Sequence, residues 1–144
     1  MRALYRHYYQ TAAGLVFVID IAARDKWNTS ISTNELERLL AEPSLIGLPL
    51  LILGNKADLL TAMTQNEVEE LVNLKSIQRT REASVRLVSA TKHATDATPI
   101  KDSFSWLKQQ INDSKQLPSQ TRELSVEQAA EAALIDASSL YIPK

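Results

Sequence analysis

Three polar side chains follow directly on an apolar run in the segment LLILGNKADLL, residues 50–60: Asn55, Lys56 and Asp58. A second polar step, Ser89, Ala90 and Thr91, ends the weaker apolar run that begins at Ser84. Such residues can form an ordinary strand-ending turn, but together they can also do more. A carboxylate accepts two hydrogen bonds from a planar pair of N–H groups, and a lysine stem can lie along a ring face. A backbone N–H in the second loop can donate to a carbonyl oxygen. Those needs match guanine, whose edge sets an N–H and an NH2 beside a carbonyl; adenine presents a different edge.

The elements that must carry these loops are legible as apolar patterns. GLVFVID (14–20) and LPLLILGNK (48–56) are continuous apolar runs, as expected of parallel strands covered on both faces, and SVRLVSA (84–90) is a third, weaker strand. Helical patterns separate them. ISTNELERLLA (31–41) repeats apolar residues at Ile31, Leu36, Leu39 and Leu40. TQNEVEELVNL (64–74) opens on a capping-box pair, Thr64 and Glu67. IKDSFSWLKQQI (100–111) places Ile100, Phe104, Leu107 and Ile111 on one face, with Pro99 suited to start the helix and Trp106 read as core. Strands alternating with helices predict right-handed crossovers and an open parallel α/β sheet, with ligands beyond the carboxyl ends of its strands. Asp20, closing the first strand, reads as a helix cap or loop former.

Composition narrows the function classes. The 144 residues suffice for one domain with a core, and 16 basic against 17 acidic side chains leave a formal charge of -1. With no basic tract, nucleic-acid or polybasic membrane binding finds no support. The absence of cysteine excludes disulfides, thiolate metal sites, a thiol nucleophile and lipidation of a C-terminal cysteine. No apolar run reaches membrane-spanning length, and the chain reads as a soluble cytosolic domain with no direct membrane anchor.

The two loop motifs and five surrounding segments, RALYRHYYQTAAGLVFVID, ELERLLAEPSL, LLILGNKADL, AMTQNEVEEL and FSWLKQQI, resemble the Arf (ADP-ribosylation factor) and Arf-like family of small GTPases. They occur in the family's order over residues 2 to 112. The resemblance implies a partial P-loop-type GTPase fold: a three-stranded parallel sheet flanked by helices, over residues 1–113. Residues 114–144 follow as a linker and an alanine-rich C-terminal helix with Ser125 suited to its N-cap. It implies a guanine-nucleotide site for GTP or GDP. In it Asp58 accepts from guanine N1 and N2, Lys56 lies on base and ribose, and the Ala90 N–H donates to O6, with Ser89 and Thr91 shaping the loop. Asn55 ties its loop to the family's phosphate-binding loop. Leu4 and Tyr8, four residues apart, match positions that family members show to exchange factors and effectors. The implied setting is intracellular, vesicular traffic, in the cytoplasm or at the periphery of endomembranes.

The phosphate half of that site is not in this sequence. No Gly-x4-Gly-Lys-Ser/Thr occurs, nor the Asp-x-Gly-Gly-Gln segment whose glutamine positions the attacking water. Half the strands of the family fold and one helix fall outside the chain, which reads as a truncated member. Weak or absent nucleotide binding is therefore expected, with Mg2+ only where the other half is supplied, and no GTP hydrolysis by this chain alone. The alternative is a non-catalytic interaction module that binds no nucleotide. The first strand is also expected at an exposed, apolar sheet edge open to self-association.

Overall fold

The computed structural model describes residues 8–27, 31–90 and 96–116. Three parallel strands, β1 (Leu15–Asp20), β2 (Leu50–Asn55) and β3 (Ala83–Leu87), form a sheet in the order β1-β2-β3. The register pairs Leu15 with Leu50 and Asp20 with Asn55 on one side, and Leu50 with Ala83 on the other. β1 is followed by α1 (Arg24–Trp27), α2 (Ile31–Leu40) and a 3₁₀ turn (Pro43–Leu45). α3 (Gln65–Leu71) and α4 (Leu74–Ile77) link β2 to β3, and α5 (Thr98–Gln116) comes last. The α/β expectation of three parallel strands with helices is met.

α3 begins where its residues dictate. At α3 the Thr64 hydroxyl accepts from the Glu67 N–H at 3.3 Å, and the Glu67 carboxylate accepts from the Thr64 N–H at 2.7 Å. The N–H groups of Thr64 and Glu67, which have no partner within the helix, are thereby satisfied. Asn73 adopts the left-handed φ of 52° that separates α3 from α4, a conformation asparagine tolerates well.

Alternate residues of the sheet face two cores. Leu15, Ile19, Leu50, Ile52, Ala83 and Val85 meet Leu36, Leu45, Val68, Val72 and Leu74 from the helices between strands. On the opposite face Leu51, Leu53 and Val88 meet Leu107 of α5, with Ile100, Trp106 and Ile111 at the margin. α5 differs from its expected face in one residue. Ser103 is buried and hydrogen-bonds the Pro99 carbonyl at 2.6 Å, while Phe104 lies 46 % exposed. A helix covering only part of a sheet buries a narrow stripe, and Phe104 falls on its flank. The helix also runs to Gln116, past the expected start of the linker.

Among the described residues, Arg81 is the one buried cation. Its guanidinium donates to the Leu45 carbonyl at 3.1 Å and to the Leu40 carbonyl at 3.3 Å, the latter at the last residue of α2. There it offsets the negative end of the helix. Burial pushes its pKa down.

Gly54 lets the Leu87 and Ile21 side chains pack directly on the β2 backbone near the loops. A Cβ there would stand 2.8 Å from Leu87 Cδ2 and 3.0 Å from Ile21 Cγ2. Gly54→Ala should therefore lower unfolding free energy by about 1–3 kcal/mol, the usual range for overpacking. Urea denaturation checks this, and an unchanged midpoint would mean that Leu87 and Ile21 yield freely.

Candidate functional site

The predicted site residues Asn55, Lys56, Asp58, Ser89 and Ala90 come together at the carboxyl ends of β2 and β3. Backbone bonds set the distance between the two loops. The Val88 N–H donates to the Gly54 carbonyl at 2.8 Å, and the Ala57 N–H donates back to the Val88 carbonyl at 3.1 Å. Between them Lys56 takes φ 68°, a left-handed turn unusual for a residue with a side chain. That turn swings the chain off β2 and brings Asp58 round toward the second loop.

Side chains then lace the loops together. The Asn55 carboxamide oxygen accepts from the Ala90 N–H at 2.8 Å. The Ser89 hydroxyl donates to an Asp58 carboxylate oxygen. Lys56 Nζ lies 2.6 Å from Asp20 Oδ2, an ion pair reaching across to the end of β1. Asp20 Oδ1 accepts from the Ala22 N–H at 3.1 Å, so this carboxylate shapes its loop, as expected, and also anchors the lysine. The bonds of Asn55 and Ala90 differ from those implied by the resemblance, which sends both toward groups outside this chain. Here each supplies what the other lacks, because a carboxamide oxygen and a backbone N–H at adjacent strand ends are complementary.

Of the other expected site residues, Thr91 and Leu4 lie outside the described residues. Tyr8 is 68 % exposed, close to the start of the described chain.

Arg24 is the supporting residue that the sequence did not single out. Its Nε donates to the Thr61 carbonyl at 2.8 Å and Nη2 to the Ala62 carbonyl at 3.1 Å. The guanidinium also binds both Glu67 oxygens, at 2.8 and 3.0 Å. One side chain thus fixes the end of the Asp58 loop to the loop after β1. No local signal could reveal it, since the residues lie 43 positions apart; only the Thr64–Glu67 half was visible. Among the described residues, no cluster of His, Cys, Asp and Glu could hold a metal ion, and no helix is long and apolar enough to cross a membrane.

Two outcomes follow from these ties. Asn55→Ala should free the Ala90 N–H and destabilise the loop by about 0.5–1.5 kcal/mol, the worth of a typical hydrogen bond. Amide exchange at Ala90 should accelerate accordingly; an unaltered rate would remove that bond from the description. The second outcome concerns acid. The hydrogen bond from Arg24, then that from the Thr64 N–H, holds the Glu67 carboxyl down at about 2 against an ordinary 4.5. A lowered native pKa contributes stability that is present above 4.5 and lost as pH falls toward about 2. Glu67→Gln should flatten that acid limb in pH-dependent urea melts, and an equally steep limb in the variant would contradict it.

Comparison with known proteins agrees with the geometry. The model of the ADP-ribosylation factor family matches residues 1–111. The chain is 36 % identical over 114 residues to ADP-ribosylation factor-like protein 8d of Arabidopsis thaliana. That match covers 79 % of this chain and 59 % of the relative, so the chain spans about three fifths of its length. With the parallel sheet, the paired loops and both matches in agreement, the chain belongs to the ADP-ribosylation factor family of small GTPases.

Proposed function

We propose that the loops of residues 55–58 and 89–91 are the base-recognition half of a guanine-nucleotide site, for GTP or GDP. In this reading Asp58 accepts from the base N1 and N2 groups, Lys56 lays its stem on base and ribose, and the Ala90 N–H turns to O6. The observation that supports it best is the Ser89–Asp58 hydrogen bond. It leaves acceptor capacity on both Asp58 oxygens and fixes the carboxylate's position before any base arrives, so little order must be gained on binding. Base contacts alone give weak binding, because clustered N–H dipoles and a cation meeting several phosphate charges supply much of such affinity. Turnover of GTP by this chain alone should accordingly be undetectable above buffer in an assay of released phosphate. Family membership supports a role of the complete protein as a nucleotide switch in intracellular traffic, with exchange factors and effectors as partners.

A second reading has its own support. Lys56, Asn55 and Ala90 already have partners within the chain, as they would in an interaction module that binds no nucleotide. An equilibrium titration of the monodisperse chain with a fluorescent GDP analogue and Mg2+, competed with GDP and ADP, separates the two. Guanine-selective displacement supports the base site, and Asp58→Ala should then cut the preference for GDP roughly tenfold or more, as loss of a charged acceptor does. No selective binding by folded protein would favour the interaction module.

A further inference from the structure

Among the described residues β3 has a neighbouring strand on one side only, β2. The Leu50 N–H donates to the Glu82 carbonyl at 2.8 Å, and the Val88 N–H to the Gly54 carbonyl at 2.8 Å. Backbone groups alternate in direction along a strand, so Ser84 and Arg86 also turn theirs toward β2. Ala83 and Val85 therefore aim their N–H and C=O groups outward. A row of that kind, left open, is a template on which another strand can form.

Both outward carbonyls are taken. The Gln78 carboxamide donates to the Ala83 carbonyl at 2.9 Å, and the Gln65 carboxamide donates to the Val85 carbonyl at 2.9 Å. Gln65 opens α3 and Gln78 follows the last residue of α4, so two helix ends deliver the same side chain to the same edge. The orientation of each amide follows from its partner, since only the NH2 group can meet a carbonyl. Gln65 gives a further hydrogen bond to Glu69 Oε1 at 2.6 Å, which holds its carboxamide in place. Each side chain thus stands where the N–H of an added strand would stand. Docking of the two helices does not depend on these bonds, because Val68, Val72, Leu74 and Ile77 already seat them in the core. What the bonds change is the edge.

We propose that Gln65 and Gln78 close the β3 edge to strand pairing with a second copy of the chain. The pairing they prevent is antiparallel, about a two-fold axis at Ser84. In it Ala83 exchanges hydrogen bonds with Val85 of the second copy, and Val85 with Ala83 of that copy, so that both carbonyls of each chain are used. With those carbonyls already bonded, pairing would replace hydrogen bonds rather than add them. It would also have to displace two side chains from each copy.

The test uses the full 144-residue chain carrying Gln65→Met and Gln78→Met, which keep side-chain length and remove the donors. Sedimentation at rising concentration should show a dimer whose Kd lies at least about tenfold below that of the parent chain. Gln109→Met with Asn112→Met, at exposed positions of α5, should leave the parent value unchanged. Ser84→Cys then locates the contact. Directly opposed residues of a non-hydrogen-bonded pair lie about 4.5 Å apart between Cα atoms, within disulfide reach. The chain has no cysteine of its own, so mild oxidation should join two copies in the methionine background and not in the glutamine one. If the double variant loses its cooperative urea transition, Gln78→Met alone is measured, with a smaller shift expected in the same direction. A folded variant that sediments as the parent does overturns the proposal. So does stronger association without the Ser84→Cys disulfide, or a disulfide that forms equally fast with both glutamines intact.

Discussion

The packing of the described residues depends on β2, the one strand of the sheet paired on both sides. β2 has both neighbours paired and both faces covered, and Leu50, Leu51 and Ile52 are fully buried. A strand in that position cannot slip by a residue without sending its side chains to the wrong core. The register of β1 and β3 is therefore set from the middle outward, and so is the spacing of the loops at the carboxyl ends. Gly54 marks the limit of that arrangement, where Leu87 and Ile21 close over a backbone with no side chain.

What emerges beyond β2 is a set of polar groups held by one another. Lys56 faces Asp20, Asn55 faces Ala90, and Asp58 faces Ser89. Each bond joins residues at least 31 positions apart, so the three strand ends act as one surface. The Lys56–Asp20 pair is partly exposed and contributes little to stability on its own. Its value lies in orientation, because a lysine turned through a left-handed backbone has few other ways to be held. Arg24 performs the same service one layer out, against two carbonyls and a carboxylate.

Much of this was legible before any coordinates. The continuous run at residues 50–53 suits a strand covered on both faces, and the Thr64–Glu67 pair marks the start of α3. The polar residues after Gly54 and after Val88 stood out because buried strands do not ordinarily run straight into such groups. The less legible features are those where two distant segments decide together. Phe104 has the spacing of a core residue, yet how much of α5 is buried depends on the width of sheet beneath it. Arg24 carries no periodicity at all, and its importance comes from which carbonyls another loop happens to present. Asn55 was expected to reach elsewhere, and only the closeness of the third strand end gives its carboxamide the Ala90 N–H.

Arg81 has a consequence for how the molecule comes apart. Its charge lies in the interior with carbonyl groups rather than a carboxylate for company, and Nε has no hydrogen-bond acceptor. The two carbonyls belong to the end of α2 and the 3₁₀ turn, 41 and 36 residues upstream. Peeling either segment away would strand a cation in an apolar interior, a cost borne at once rather than by degrees. The back of the domain, at the opposite end of the sheet from the loops of residues 55–58 and 89–90, should accordingly open as a single latch.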